Sequence, residues 1–309
     1  MPYKYPFPVD PVLTSISLAY KNPRYIADQV LPRVKVPAES FKYRVFDKET
    51  FLTVPETLIG RKGLYNEVEL TFDTQSASTT DYGLEQVVSL KDIEQAKAQG
   101  YDPQQKATEY LTELMALDRE KRTAAVIFDA QTYASGQVQQ LTGTARFDND
   151  QSDPVKTILT AMDVPFYRPN ILVMGREVFS ALCRHPKILR TVYPNADGNG
   201  IVSAQQLATI LNVDQVLVGE SKLNFAKRGG SQIGQVWGKC LAMLYIDPSA
   251  GTQDMPTFGL TAEYGNRSGR VVFDPNLGKD GANRIKISES LHELVVAPDL
   301  GYLLQTVVA

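Results

Sequence analysis

DPQQKATEYLTELMALDREKRTAAVIFDAQTY, residues 102–133, is the stretch whose periodicity decides the fold. Asp102 is a good N-cap, since its side chain can accept from the free N–H groups of a first helical turn. Pro103 suits the first helical position, where no N–H is required. Ala107, Leu111, Leu114, Met115, Asp118, Arg122, Ala125 and Phe128 then recur at spacings of three and four, apolar members dominating. Glu109, Glu113, Arg119, Glu120 and Lys121 fall on the other side and predict a solvated face. The pattern predicts one helix over 103–133, roughly 45 Å long at 1.5 Å per residue. Globular helices average about 11–12 residues, so this one is a spine for the chain around it.

Towards the N-terminus, Phe41–Asp47 and Glu67–Asp73 alternate with period two and predict a pair of strands. Lys42 and Arg44 on the first and Glu67, Glu69 and Asp73 on the second suit cross-strand charge pairing. The connection between them carries Phe51, Leu52, Leu58 and Ile59 and far exceeds the usual hairpin loop of about 2–5 residues. A thin hairpin cannot bury those side chains by itself. Residues 1–36 hold prolines at 2, 6, 8, 11, 23 and 32 and read as an irregular, extended arm with a short helix around Asn22–Val30.

Towards the C-terminus, Asp153-Pro154 opens a second capped helix containing Ile158, Leu159 and Met162. Ile171–Met174 reads as a buried strand, Arg176–Arg184 and Ser203–Leu211 as helices, and Gln215–Val218 as a strand: a small α/β module. Strands are expected at Cys240–Ile246, Thr257–Tyr264, Arg284–Ser288, Leu294–Ala297 and Tyr302–Val308. The class is α+β.

The 309 residues are 43% hydrophobic and 22% charged, with net charge −3. No basic stripe marks a nucleic-acid grip, so any DNA met by the chain is expected to be contained rather than bound. The first residues lack an apolar signal core and no run approaches about 18 apolar residues, which predicts a soluble cytoplasmic product with no membrane partner. Cys183 and Cys240 lie outside any CxxC pattern and read as buried thiols. Catalytic equipment is thin. His185 and His292 have no partner at metal-ligand spacing. GGSQIG at 229–234 misses the GxSxG spacing of a nucleophile elbow. Gly238-Lys239 is followed by Cys240, and Ile233 stands where a phosphate loop needs glycine. The acidic run 148–153 fails as a calcium loop because Asp153 and Leu159 replace the required Gly and Glu. No catalytic residue, metal or cofactor is expected.

The order of arm, hairpin, spine helix, α/β module and returning strands resembles the major capsid proteins of tailed phages with the Hong Kong 97-type fold. NPRYIADQVLPRVKVP at 22–37 looks like that family's arm leading into its extended hairpin. LTELMALDREKRTAAVIFDAQTY at 111–133 looks like the spine helix, followed by LTGTARF at 141–147 and the SDPVKTIL helix. RPNILVMGREVFSALCRHPKIL at 168–189 looks like the opening of the axial domain, and RIKISESLHELVVAPDLGYLLQTVV like the closing strands. The resemblance spans nearly the whole chain. It implies an N-terminal arm at 1–36, an extended hairpin (E-loop) at 37–81, a peripheral domain at 82–165 and 255–295, and an axial domain at 166–254 and 296–309. It implies self-assembly as pentamers and hexamers into an icosahedral shell around double-stranded DNA, with location in the virion and assembly in the host cytoplasm. A portal, decoration proteins where a particle has them, and either a separate scaffolding protein or a scaffolding segment removed beforehand are the implied partners. Phe51, Leu58, Ile59, Arg61 and Lys62 are the expected intersubunit contacts. Lys62 with Asn266 or Asn276 gives weak support, by residue type alone, to the intersubunit crosslink that some members form. An encapsulin-like nanocompartment enclosing enzyme cargo uses the same fold and is the alternative reading.

Overall fold

The computed structural model describes residues 9–45, 53–54, 56–59, 61, 63–65, 67, 73–193, 200–226, 229–247 and 256–309. From Val9 onward the arm is more ordered than its prolines suggest. Asp10 accepts from the N–H groups of Val12 and Leu13, Pro11 takes the first helical position, and α1 runs over Pro11–Ala19. Proline costs nothing there because that N–H has no intrahelical partner, and no further proline interrupts the helix. Leu13 is buried with Val88, Leu111, Met115, Ile285 and Ile287. The second expected arm helix shortens to α2 (Ala27–Val30), because a turn closed by Tyr25 N–H on Asn22 O occupies its first residues.

β1 (Arg33–Val36) and β2 (Ser40–Val45) follow the arm; β3 (Asp73–Ser78) and β4 (Thr80–Ser89) resume after the long connection. β2 and β3 pair antiparallel, with Tyr43 opposite Gln75. β1 and β4 are the edges of a four-stranded sheet, ordered β1-β11-β12-β4, whose centre is β11 (Gly259–Asp274) and β12 (Ala282–Val295). These two long strands replace the shorter pieces expected, and β11 runs straight through Gly265 and Gly269. Gly265 adopts φ +73° inside an irregularity between Tyr264 and Ser268, so the ladder absorbs it and continues.

α3 (Leu90–Gln99) ends on left-handed Gly100. Asp102 then caps α4 (Pro103–Ile127) by accepting from Gln104 N–H, giving a rod about 38 Å long. It stops six residues before Tyr133, because Asp129 accepts from Gln131 N–H and starts a separate 3-10 turn. The buried face also differs from the expected one. It runs through Ala107, Leu111 and Met115 onto the sheet, then through Arg119, Glu120, Thr123, Ala124 and Ile127. Sheet and arm cover the helix from two directions, so two charged residues assigned to solvent lie inside.

The α/β module is a five-stranded sheet of order β5-β13-β10-β6-β7, built from β5 (Val138–Gln140), β6 (Ile171–Gly175), β7 (Gln215–Gly219), β10 (Leu241–Leu244) and β13 (Gly301–Gln305). Leu172, Met174, Leu241, Met243 and Leu304 pack with α5 (Pro154–Met162), α6 (Arg176–Leu182), α7 (Pro186–Val192) and α8 (Ala204–Leu211). Val173, Ala242, Leu244 and Leu303 face Ile127, Tyr133, Trp237 and Phe258 on the opposite side. Burial on both faces explains why these strands read as continuous apolar runs. A small hairpin, β8 (Lys222–Asn224) with β9 (Ile233–Gln235), leads to Trp237.

Trp237 is 1% exposed and wedges against two paired glycines, Gly175 and Gly219. A methyl at Gly219 would fall 2.0 Å from the indole, and one at Gly175 1.9 Å from the Trp237 carbonyl oxygen. Gly219→Ala is therefore expected to lower unfolding stability by about 3 kcal/mol, read as a drop in the urea midpoint.

Candidate functional site

The described part of the long connection presents apolar side chains to water. Leu58 is 81% exposed and Ile59 40%, and Arg61 is exposed beside them. Phe51 and Lys62 lie outside the described residues. Val54, Leu64 and Tyr65 are also exposed, at 81, 93 and 87%. Reading the sequence for alternation missed these three, because an irregular segment has no periodicity to mark its outward side. Their signal was composition alone: apolar residues in a stretch interrupted by Pro55, Gly60 and Gly63. Large apolar side chains exposed this close together in the chain mark an association surface or an aggregation hazard.

The strands beneath the connection differ from expectation. Thr79 N–H donates to Glu39 O and closes the base of the pair, and β4 is held in register by Thr80 opposite Leu291. Counting back from that fixed point puts Ser76 opposite Lys42 and Thr74 opposite Arg44. The described ladder therefore has no basic-to-acidic pairing at these two positions, and residues 68–72 lie outside the described set.

The arm is held by a polar clamp on α4. Glu113 accepts from Tyr20 Oη at 2.8 Å, Asn22 Nδ2 at 3.0 Å and Tyr25 Oη at 2.5 Å. Arg119, 2% exposed, donates to Asp28, to Leu31 O at 3.1 Å and to Thr261 Oγ1 at 3.1 Å. Glu120, fully buried, accepts from Ala27 N–H at 2.6 Å, Trp237 Nε1 at 2.5 Å and Ser221 Oγ at 3.3 Å. Arg33 donates to Asp28 at 2.8 Å and Glu289 at 3.1 Å, and Arg267 joins Glu289 at 2.9 Å while donating to Ser17 O. A half-open cavity of about 860 Å³ lies over this clamp, lined by Leu18, Tyr20, Asp28, Arg119, Glu263 and Arg267 among others. Periodicity alone gives no sign that Glu113, Arg119 and Glu120 face protein, because their partners lie about 90 or more residues away.

Burial pushes the Glu120 carboxyl above its ordinary range, against the hydrogen bonds it accepts. Neighbouring protein atoms strip some water from Asp28 and raise it, but Arg119 and Arg33 outweigh that and hold the group at about 2. Arg267 and Arg33 likewise outweigh burial at Glu289 and hold it low. A carboxyl whose pKa falls on folding contributes stability that is complete above its unfolded value and lost as pH drops through the folded one. Asp28 therefore loses its contribution between pH 3.8 and about 2. Glu120 has the opposite sign, its ionisation costing stability as pH rises. Asp28→Asn is expected to make the acid-unfolding limb shallower in that window, and a pH series of melting curves checks it. The change should be partial, since the Asp28 side chain is 65% exposed and water screens its pairs.

The remaining candidates have structural roles. His185 is buried, contacts Ser152 Oγ at 3.1 Å, and accepts from Lys187 N–H at the start of α7. Asp153 accepts from Lys156 N–H as the cap of α5. Cys183 and Cys240 are free thiols pushed up by burial. Asn266 accepts from Lys35 Nζ at 2.7 Å within the subunit. Among the described residues no group of three His, Cys, Asp or Glu is placed to hold a metal ion, and no helix is long and apolar enough to cross a membrane.

Solved structures with this architecture define the class. The chain superposes on a phage-related protein from Bordetella bronchiseptica RB50 with TM-score 0.78 and 22% identity, covering 98% of this chain and 99% of that one. The capsid of cyanophage P-SCSP1u gives TM-score 0.57 at 10% identity over 93% and 89% of the two chains. The SrpI encapsulin of Synechococcus elongatus gives 0.54 at 13% over 92% and 87%. The fold is thus a mixed α+β fold with capsid-like structural neighbours. No protein-family model matches the chain. Curated relatives are more specific. The major capsid protein of Pseudomonas phage JBD67 is 42% identical over 305 residues, 98% of each chain, and that of Burkholderia phage BcepMu is 26% identical over 306 residues, 96% of this chain and 95% of that one. The chain belongs to the family of phage major capsid proteins. It is a structural protein of the virion, not an enzyme.

Proposed function

We propose that the chain assembles as pentamers and hexamers into an icosahedral shell enclosing packaged double-stranded DNA. Residues 1–36 act as the arm and 37–81 as an extended hairpin lying across a neighbour. Residues 82–165 and 255–295 form the peripheral domain, and 166–254 with 296–309 the axial domain around the symmetry axes. The observation that carries this reading is the exposure of Val54, Leu58, Leu64 and Tyr65 on a connection that covers none of them. A patch on one subunit that fits a different patch on the next makes a heterologous contact, which closes into rings under rotational symmetry. Net charge −3 suits a container for DNA rather than a binder of it. A separate scaffolding protein, or a scaffolding segment removed beforehand, guides assembly in the host cytoplasm, and a portal, with decoration proteins where the particle has them, joins the shell. Purified protein, with scaffold supplied, is expected to give closed particles in negative-stain microscopy. Persistent small, monodisperse species at high concentration would overturn the proposal. The likeness to an encapsulin supports a nanocompartment as a second reading at the level of fold; a co-purifying enzyme in place of DNA would decide for it.

A further inference from the structure

We propose that Glu120 is a joint that couples the seating of the arm to the packing of the α/β module around Trp237. Its two carboxylate oxygens are divided between them. Oε1 accepts from Ala27 N–H in the arm at 2.6 Å. Oε2 accepts from Trp237 Nε1 at 2.5 Å and Ser221 Oγ at 3.3 Å, both in the segment between β7 and β10. The carboxylate is planar and rigid, so displacing one oxygen displaces the other. Burial removes water as a substitute partner and makes each unmatched donor costly.

The neighbouring residue reinforces the arm side. Arg119 donates to Leu31 O, at the C-terminal cap of α2, and to Asp28 within it. Adjacent residues of opposite charge thus hold the two ends of α2, the carboxylate at its N–H end and the guanidinium at its carbonyl end. This is the polarity that the helix dipole favours. A four-residue helix is too short to hold itself, so its order depends on the clasp. The module side has no slack, because Gly175 and Gly219 leave no room for a methyl beside Trp237. Loosening the arm therefore disturbs the indole, and loosening the indole frees the arm.

Trp237 is the single tryptophan of the chain, so its emission reports the module side. Trypsin cleavage after Lys21 and Arg24, both exposed, reports the arm when its fragments are followed by mass spectrometry. Asp28→Asn weakens the arm side at a residue whose bonds are to Arg119 and Arg33. It is expected to speed arm cleavage about fivefold and to shift Trp237 emission to longer wavelength. Ser221→Ala, applied from the module side, is expected to speed arm cleavage as well. In a Glu120→Gln background, where one amide group must face a donor, Asp28→Asn should no longer move the emission. Arm cleavage that accelerates with emission unchanged would overturn the proposal. So would an equal emission shift in the Glu120→Gln background, or cleavage unaltered in both single variants. Ser221→Ala, a small change at the edge of the joint, keeps the test intact if Glu120→Gln fails to fold.

Discussion

Glu120→Ala will destabilise the subunit by about 3–5 kcal/mol, because it strips the acceptor from three buried donors at once. Ala27 N–H, Trp237 Nε1–H and Ser221 Oγ–H would each lose a partner inside the protein, at about 1–3 kcal/mol apiece. Removing a carboxylate that burial disfavours offsets part of that loss. Against a typical total of about 5–15 kcal/mol, the remainder is enough to leave much of the protein insoluble or digestible. Glu120→Gln keeps the shape and one good acceptor and is expected to cost about half as much. Urea unfolding of both variants beside the parent checks the order; equal stability of Glu120→Ala and the parent would contradict the clamp.

The second large effect falls on assembly and leaves the subunit intact. Leu58→Lys and Leu64→Lys alter side chains that are 81 and 93% exposed, so subunit stability should change by no more than about 0.5 kcal/mol. In the shell those side chains are taken to fill a neighbour's surface. Losing an apolar anchor at an interface centre costs about 2 kcal/mol or more, roughly 30-fold in association, and the loss recurs in every copy. The double variant is expected to remain a folded small species where the parent forms particles, as sedimentation velocity would read directly. Normal particles from the double variant would remove these residues from the interface.

Much of this architecture was legible in the amino acids, and the reasons are local. Asp102 and Pro103 fix where the long helix starts, since a cap and a proline act on the turn they occupy. Asp153 and Ser203 do the same for two helices of the module. Ile171–Gly175 is apolar along its whole length because both sheet faces are covered. What escaped was decided at long range. Gly265 looks like a strand break, but pairing with β12 carries the strand through it. Arg119 and Glu120 look like surface charges on a helix, and the arm residues that bury them lie about 90 positions earlier. Pro11 looks disruptive, yet at the first position of α1 it is harmless. The candidate contact surface was half legible: Leu58 and Ile59 stood out against their polar neighbours, while Val54, Leu64 and Tyr65 emerged only from exposure in the fold.

The apolar connection of one subunit is expected to be buried on the next in the assembled shell. A cryo-electron-microscopy reconstruction of the assembled particle tests it most directly. The expected result is closed shells in which Val54, Leu58, Leu64 and Tyr65 pack against an adjacent subunit and lose most of their exposure. Shells in which those four side chains remain in solvent would contradict it.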